Sequence, residues 1–343
     1  MSVTLQDIAD RLNVSIATVS RALTNSSGVS EATRQKVLVV AREMGYRPNV
    51  IARRLQQQRT EAIGFVIPTL GPRFSDPFFS ELLAGIGNEA AEHEYDLLVS
   101  TRAPGPDELL GYERLVTEHR VDGLLVVRTR REDPRIRYLL EQDFPFVAFG
   151  RSDLEEDFPY LDVDGEAGMR ALTEHLVEQG HRRIAYVNAS QDVMFRRFRL
   201  QGFQQALAAA DLEYDPALVI TGRLTNASGY RAGQRLMALD HRPTAIIACN
   251  DLMALGVMSA VHETGLRVGQ DVAVAGFDDI PMAKLAHPPL TTVQQPIYQI
   301  GRKICWMLLT LLKGELLDEP HVLLKPNIVV RESTDFNLLK GGA

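Results

Sequence analysis

The length, composition and charge of the chain are those of an ordinary globular protein, except that the charge is unevenly distributed. The 343 residues are 45% hydrophobic and 24% charged, with a formal net charge of −7, which excludes the disordered and fibrous classes. Residues 1–60 nevertheless hold nine basic and four acidic residues, whereas the remainder holds 28 basic and 40 acidic residues. This asymmetry favours a basic module that contacts nucleic-acid phosphates, followed by an acidic body that does not.

Two short helices joined by a tight turn are the first predicted elements. Thr4, with Asp7 three residues later, indicates the start of one helix, and Ser15 indicates the start of the next. In the second helix, the spacing places Val19, Ala22 and Leu23 inward and Ile16, Ala17, Ser20 and Arg21 on the opposite face. A small residue, a hydroxyl group and an arginine exposed near a helix N-terminus are typical of the recognition helix of a helix-turn-helix.

A third helix is predicted from a cap at Ser30 to a stop at Gly45. Its apolar positions at helical spacing are Val37, Leu38, Ala41 and Met44. Three small helices around one core predict a compact DNA-binding headpiece.

A short linker is predicted after the headpiece. Asn49 can cap a segment that extends to Leu55, and a polar run follows at 56–60. We therefore expect a first domain at residues 1–60, with its hinge segment at about 49–56, and a second domain at 61–343.

The second domain shows strands and helices that alternate in two series. The first has strands at 62–68, 96–100, 123–127 and 146–149, with helices at 78–93, 107–119 and 134–142. The second has strands at 183–187, 218–221, 245–249 and 272–276, with helices at 166–179, 197–210, 228–239 and 251–264. A last helix at 297–313 and strands near 291–295 and 321–331 could complete either series. The predicted fold class is therefore α/β, with an all-α headpiece followed by two lobes of parallel sheet covered by helices, and with a ligand crevice at the carboxyl ends of the strands.

An ordered set of motifs resembles the LacI/GalR family of lactose and galactose repressors. In the headpiece the matching patterns are T-L-x-D-I-A, V-S-x-x-T-V-S-R-A-L and G-Y-x-P-N-x-x-A-R-x-L, and in the body they lie at 180–185, 250–256, 276–279 and 289–293. The resemblance covers essentially the whole chain. It implies a dimeric repressor whose paired headpieces bind a pseudo-palindromic operator, and whose core, similar to a periplasmic binding protein, responds to a sugar or metabolite.

The resemblance also assigns the residues that contact DNA. Ile16 and Ala17 match positions that read base edges, and Arg21 matches a further reading position, where it can bind O6 and N7 of guanine. Contacts to phosphates, which fix the register, fall to Thr18, Ser20, Asn25 and Arg34.

The segment from Asn49 to Leu55 matches the hinge helix of the family, with Asn49, Ala52 and Leu55 contacting DNA. Leu55 would enter the minor groove as a wedge and bend the duplex. A helix this short is unstable alone, so it would form only on DNA beside its dimer mate. The alternative is an ordinary linker with a buried leucine.

The family's effector positions correspond here to seven residues, namely Phe78, Phe79, Asp164, Arg199, Asn250, Asp278 and Gln295, and Arg128 is a further candidate. Carboxylates and amides exchange hydrogen bonds with hydroxyl groups, arginine bridges a diol, and an aromatic face packs on a sugar ring. The alternatives are helix capping for Asn250 and Asp278, core packing for Phe78 and Phe79, and a solvated Arg128. Leu224 departs from relatives that carry an aromatic ring at its position.

A neutral sugar, such as an α-glucoside, is the expected effector. The arginine clusters at 128–131 and 196–199 leave an anionic effector such as a sugar phosphate as the alternative. Whether the effector releases or promotes operator binding stays open. The tail after residue 333 has no leucine heptad, which favours a homodimer over a tetramer.

Catalytic, metal-binding and cofactor motifs are not found in the sequence. The run at 85–90 resembles a dinucleotide fingerprint but lies inside a predicted helix, and the eight histidines show no ligand spacing. We therefore expect no enzyme, no metal and no cofactor. We expect Cys249 and Cys305 to be buried thiols, and we expect no export signal and no membrane span, hence a cytoplasmic protein. The rivals are a periplasmic sugar-binding protein, which needs an export signal, and a sugar-processing enzyme, which needs a catalytic cluster.

Overall fold

The protein consists of two compact units in a computed structural model, Met1–Thr60 and Glu61–Ala343. The structure describes residues 3–23, 27–46, 59–69, 76–189 and 193–335.

The first unit contains three helices, α1 (Leu5–Leu12), α2 (Ile16–Leu23) and α3 (Glu31–Glu43). The expected caps are present: the Thr4 hydroxyl accepts the backbone N–H of Asp7, the Ser15 hydroxyl accepts that of Thr18, and the Ser30 hydroxyl accepts that of Thr33. The core of this unit comprises Ile8, Ala9, Val19, Ala22, Val37 and Ala41. The predicted three-helix headpiece is therefore confirmed.

The apolar positions of α3 are not equally buried. Val37 and Ala41 are buried in the core of the unit, whereas the side chain of Leu38 is 39% exposed. Gly45 lies just past the helix with φ +68°, a left-handed conformation that favours glycine.

The second unit alternates strands and helices along most of its length. Its strands are β1 (Ala62–Pro68), β2 (Asp96–Arg102), β3 (Gly123–Val127), β4 (Phe146–Phe149), β5 (Tyr160–Val163), β6 (Ile184–Ala189), β7 (Val219–Gly222), β8 (Ala245–Ala248), β9 (Ala273–Asp278), β10 (Thr291–Gln294), β11 (His321–Leu324) and β12 (Asn327–Val329). Its helices are α4 (Pro77–Glu92), α5 (Pro106–Thr117), α6 (Pro134–Glu141), α7 (Gly165–Glu178), α8 (Met194–Ala209), α9 (Asn226–Met237), α10 (Asp251–Glu263), α11 (Pro281–Leu285) and α12 (Ile297–Leu312), with a 3₁₀ turn at Pro216–Leu218.

These strands form two six-stranded sheets, which define two lobes. Lobe 1 has the strand order β11-β5-β4-β3-β1-β2, all parallel, and lobe 2 has the order β12-β10-β9-β8-β6-β7, parallel except for β12. The strands at the centre of each sheet, such as β1, β3, β6 and β8, are buried along their whole length, as expected of parallel sheets covered on both faces. The predicted two-lobed α/β fold is confirmed.

The chain crosses between the lobes three times, after β5, after β10 and after β11. The final elements, which the sequence left unassigned, therefore complete both lobes: β11 joins the first sheet, and β10 and β12 join the second. Helix α12 returns to lobe 1 and packs on α4.

The contact between α4 and α12 is close because both helices present glycine. A Cβ at Gly85 would collide with the carbonyl oxygen of Tyr298, and one at Gly301 would collide with that of Leu82. The run at 85–90 thus lies inside α4, as predicted, and its first glycine, Gly85, serves helix packing. Cys249 and Cys305 are both buried and free, also as predicted. Within the described ranges, no helix combines the length and apolarity that a bilayer crossing requires.

Candidate functional site

The first candidate site is the outer face of α2. Ile16, Ala17 and Arg21 are exposed, whereas Val19 and Ala22 on the opposite face are buried in the headpiece core. The helix therefore presents an aliphatic, a small and a cationic side chain on one side. Such a face can make apolar contacts to a thymine methyl group and a bidentate contact to guanine.

The residues expected to contact phosphates differ in their exposure to solvent. Thr18 and Ser20 are half-buried, and the Thr18 hydroxyl lies 2.8 Å from that of Ser15. The side chain of Arg34 is only 15% exposed, and its Nε lies 3.6 Å from the carboxylate of Glu31. The predictions for Asn25, Asn49, Ala52 and Leu55 fall outside the described residues.

The second candidate site is a cleft between the two lobes at the carboxyl ends of their strands. Four residues around it have positive φ angles, namely Arg128 (50°), Gly150 (119°), Leu224 (56°) and Asp278 (120°). Three of these carry side chains, for which this conformation costs about 1–3 kcal/mol each. Strain of this kind often occurs where a fold positions functional groups, which makes the cleft a candidate binding site.

Seven of the eight predicted effector residues line this cleft, namely Phe78, Phe79, Arg128, Arg199, Asn250, Asp278 and Gln295. The exception is Asp164, which is not part of the lining. Its carboxylate accepts the backbone N–H of Ala167 at 2.9 Å and caps α7. The neighbouring Asp162 lines the cleft instead.

Arg199 is the most constrained cation in the cleft. It is 6% exposed, and its guanidinium carbon lies 3.5 Å from the ring centroid of Phe277 and 4.6 Å from that of Phe195. Nη1 donates to the carbonyl oxygen of Cys249, and Nη2 lies 3.7 Å from Oδ1 of Asp278. The two rings fix the plane of the guanidinium, so its direction towards a ligand is set in advance.

Asp278 is the titratable group of the cleft. It is 7% exposed, and Nε2 of Gln295 donates to its Oδ1 at 2.6 Å. The pKa of this carboxyl is raised to about 7, mainly by burial and also by the charge of Asp76, whereas Arg199, Gln295 and Arg128 act in the opposite direction. The side chain therefore exists near neutral pH both as a carboxylate and as a carboxylic acid.

A second buried carboxyl, Asp251, lies next to this system. It accepts the hydroxyl of Thr292 at 2.6 Å and the backbone N–H of Ile280 at 2.9 Å. Burial and the negative charge of Asp278 raise the pKa of Asp251 well above its ordinary value. The charge of Asp278 therefore acts on a buried carboxyl that bonds both β10 and the segment that follows β9.

Helix capping was the alternative role for Asn250 and Asp278, and the structure shows it for Asn250 alone. Oδ1 of Asn250 accepts the backbone N–H of Met253 at 3.1 Å, so Asn250 caps α10. Its Nδ2 lies 3.5 Å from the carbonyl oxygen of Leu224, a weak bond that a ligand oxygen can replace. Asp278 ends β9 and caps no helix.

Lobe 1 contributes an aromatic wall and an ion pair. Nη2 of Arg128 donates to Oδ2 of Asp76 at 2.9 Å, and its guanidinium lies 4.7 Å from the ring centroid of Phe79. Burial raises the pKa of Asp76 and lowers that of Arg128. Phe79 is 1% exposed and belongs to the core, whereas Phe78 is half-buried and stacks on Phe149 with ring centroids 6.0 Å apart.

Sequence reasoning missed several lining residues, including Asp76, Phe149, Asp162, Phe195 and Phe198. Asp76 and Phe149 carry a findable signal, because Asp76 stands two residues before the predicted site residue Phe78 and Phe149 ends a predicted strand. Phe195 and Phe198 lie in the first turns of α8, which begins three residues before the predicted start.

The charges of the cleft are internally balanced. Arg128 pairs with Asp76, Arg199 with Asp278, and Arg151 with Asp162 at 2.8 Å. Each arginine thus has a carboxylate partner, and a ligand that enters meets both donors and acceptors between aromatic faces. Among the described residues, no group of three potential metal ligands exists.

Comparisons with known proteins agree on both units. Residues 4–49 match the family described as "Bacterial regulatory proteins, lacI family", and residues 173–334 match the "Periplasmic binding protein-like domain". The chain is 37% identical to the HTH-type transcriptional regulator CelR of Thermobifida fusca over 337 residues, which covers 96% of this chain and 98% of the relative. It is 34% identical to the HTH-type transcriptional repressor CytR of Escherichia coli strain K12 over 333 residues, which covers 96% of each chain.

Solved structures show the same relationship. A complex of the transcriptional regulator CelR with cellobiose superimposes with a TM-score of 0.75 at 34% identity, covering 96% of this chain and 99% of that one. The lac repressor dimer bound to operator and the anti-inducer ONPF superimposes with a TM-score of 0.84 at 30% identity, covering 98% and 100%. With a matching headpiece, a matching core and relatives similar over nearly their whole length, the chain belongs to the LacI family of DNA-binding transcriptional regulators.

Proposed function

We propose that this protein is a repressor of carbohydrate uptake or catabolism genes, and that a neutral sugar in the inter-lobe cleft controls its affinity for operator DNA. The single observation that carries the proposal is the convergence of the buried Arg199, Asp278 and Gln295 on one aromatic-walled cleft. Residues 1–60 form the DNA-binding part and residues 61–343 the effector-binding and dimerisation part. No catalytic step is assigned to the cleft.

The balance of charge in the cleft supports a neutral ligand. A phosphate or carboxylate would bring its charge next to Asp76, Asp162 and Asp278, each of which already pairs with one of the three arginines. Hydroxyl groups instead accept from an arginine or amide and donate to a carboxylate in the same place. The half-buried ring of Phe78 and its stacking partner Phe149 offer an apolar face for a sugar ring.

A population shift is the proposed mechanism. The sugar favours one arrangement of the two lobes, and this arrangement alters the pairing of the 49–56 hinge segments of a homodimer on a pseudo-palindromic operator. The effector of this chain is proposed to be an inducer, with a corepressor as the opposite outcome of the same experiment. An α-glucoside is our first test ligand, and cellobiose, which CelR binds, is the second.

Selection of binding sites followed by titration tests the proposal. Duplexes enriched from a random library on the full-length protein are compared with scrambled duplexes by fluorescence anisotropy, and each is then titrated with maltose, cellobiose, monosaccharides and their phosphates. We expect a dyad-symmetric duplex to be preferred and a neutral sugar to change its apparent Kd. No preference for any dyad-symmetric duplex would refute the regulator, whereas a response to phosphates alone would refute the neutral effector.

A second assay on the same protein distinguishes regulation from catalysis. Incubation with the sugar that responds, followed by chromatography of the sugar, should return it unchanged. Sustained hydrolysis would support a sugar-processing enzyme instead.

A further inference from the structure

A buried amide below the cleft has one hydrogen-bonding group that the fold does not use. Asn188 lies near the carboxyl end of β6 and is 1% exposed. Its Oδ1 accepts the backbone N–H of Ala189 at 2.8 Å and lies 3.3 Å from the hydroxyl of Tyr186, which donates to it. Because the Ala189 N–H can only donate, the amide oxygen must face it, and this fixes the direction of the amide nitrogen.

That amide nitrogen is a donor without an acceptor. Nδ2 of Asn188 is buried and has no hydrogen-bond partner among the described residues, and the same is true of Nε of Arg199. Buried donors are nearly always paired in folded proteins, because leaving one unpaired costs free energy. Because Arg199 lines the cleft, these two unused donors point to an acceptor that arrives from outside the chain.

The backbone of Cys249 brings the two donors together. Its N–H donates to the carbonyl oxygen of Val187 at 2.9 Å, directly before Asn188, and its own carbonyl oxygen accepts from Nη1 of Arg199. The backbone of a single residue therefore links the end of β6 to the guanidinium.

The packing of α8 on β6 leads to the same placement. The ring of Tyr186 lies 5.3 Å from that of Phe203. Along β6, Asn188 lies two residues after Tyr186, a distance of about 7 Å. Along α8, Arg199 lies one helical turn before Phe203, a distance of about 5.4 Å, and α8 runs in the direction opposite to β6. The two side chains thus lie at the same level, above the Tyr186–Phe203 pair.

We propose that Asn188 and Arg199 together hold one oxygen atom of the effector, which makes Asn188 a ligand-recognition residue below the cleft floor. A neutral hydroxyl group fits this place, because its oxygen accepts from both donors while its proton is donated to Asp278, whose Oδ1 lies 3.7 Å from Nη2 of Arg199. The inference rests on the proposed sugar-responsive function and deepens it, since it assigns a buried hydroxyl to the ligand.

The substitution Asn188→Asp tests this placement with little change of shape. The new carboxylate still accepts from Ala189 and Tyr186, but the Nδ2 donor is lost and the new charge faces Arg199. Calorimetry with maltose and cellobiose, and with the singly deoxygenated analogues of whichever binds, should show affinity for the sugar reduced about tenfold or more. One deoxy analogue should bind the variant and the unsubstituted protein equally, because it lacks the oxygen in question. The matched control is Asn88→Asp, which adds the same charge on the exposed face of α4 and should bind like the unsubstituted protein.

Each other outcome decides against the inference. Equal affinity of Asn188→Asp and the unsubstituted protein would overturn it, because the donor would then serve no ligand. A lower Tm together with weaker binding that no deoxy analogue equalises would assign Asn188 to the fold alone. Failure of the unsubstituted protein to bind any of these sugars would refute the proposed function itself, and this inference with it.

Discussion

Nε2 of Gln295 donates a 2.6 Å hydrogen bond to Oδ1 of Asp278, and this bond connects the cleft to a crossover between the lobes. Gln295 directly precedes Pro296, where the chain leaves lobe 2 for α12 of lobe 1, and Asp278 is the last residue of β9. A ligand that changes the partners of Asp278 therefore acts on a segment that links the two lobes.

Effector affinity should depend on pH because the pKa of Asp278 is about 7. Above that value the carboxylate accepts hydroxyl groups of the sugar, whereas below it a proton occupies one oxygen. We expect calorimetry to show affinity that rises from pH 6 to pH 8 and then levels off. The variant Asp278→Asn should bind weakly with no such rise, and a rise that persists in this variant would assign the titration to another group.

The same shift predicts the sign of a change in stability. A carboxyl whose folded-state pKa lies above its ordinary 3.8 favours the protonated folded state, so its stabilising contribution is complete below pH 3.8 and is lost as the pH rises to 7. Relative to Asp278→Asn, the unsubstituted protein should therefore lose stability in urea between pH 4 and pH 7. Parallel curves for the two proteins would contradict this.

Replacing Arg21 by alanine should weaken specific operator binding by about 1–3 kcal/mol, the value of a bidentate contact to guanine. Anisotropy titrations with operator and scrambled duplexes measure the loss. Arg42→Ala is the matched control, because it removes the same charge from an exposed position of α3. If Arg21→Ala discriminates between the duplexes as well as this control does, Arg21 does not read a base.

Replacing Leu55 by alanine should reduce operator bending, because the wedge that unstacks the central base step is lost. A gel-phasing assay with operator at several distances from an intrinsic bend measures the angle. Gln57→Ala, in the neighbouring polar run, serves as the control. Equal bending by the two variants would favour an ordinary linker at 49–56.

Replacing Arg199 by alanine should abolish the response to effector, because its guanidinium faces the cleft between two aromatic rings. Operator affinity without effector should remain, and anisotropy in the presence and absence of the sugar measures both properties. Arg197→Ala, on the same turn but with a side chain that is 58% exposed, should respond normally. A normal response in Arg199→Ala would exclude this residue from the site.

Replacing Gly301 by alanine should destabilise lobe 1 by about 1–3 kcal/mol, the usual cost of overpacking, because the new methyl group meets the backbone of α4. Gly87→Ala, on α4 with open space around it, should instead stabilise by about 0.5–1 kcal/mol through helix propensity. Urea unfolding separates the two. Similar effects from both variants would argue against the close helix contact.

The elements that the sequence predicted well are those with long periodic patterns. The three headpiece helices and the buried strands follow from caps and apolar runs that neighbouring elements do not override. Strand β5 was missed because Tyr160–Val163 is short and includes Asp162, and its structure depends on pairing with β4 and β11. Helix α11 was missed because five residues carry no helical period.

In the candidate site, too, the features that depend on contacts between distant parts of the chain were not predicted. The family resemblance named seven residues, and six of them line the cleft. The seventh, Asp164, lies just past the end of β5 and caps α7, whereas Asp162, still within the strand, lines the cleft. The pairing of Arg128 with Asp76 joins positions 52 residues apart, which no local pattern reveals. The exposure of Leu38 shows that an apolar residue at helical spacing can still lie outside a small core.

The late return of α12 and β11 to lobe 1 affects how the protein is made on the ribosome. Residues 61–163 provide five strands of the first sheet, yet the sixth strand and the helix that covers α4 are translated only after all the strands of lobe 2 except β12. During that interval the apolar face of α4 has no covering helix from its own chain. A nascent chain that stalls before residue 297 would consequently expose this face to chaperones and proteases, which links the quality control of the effector-binding body to its last fifty residues.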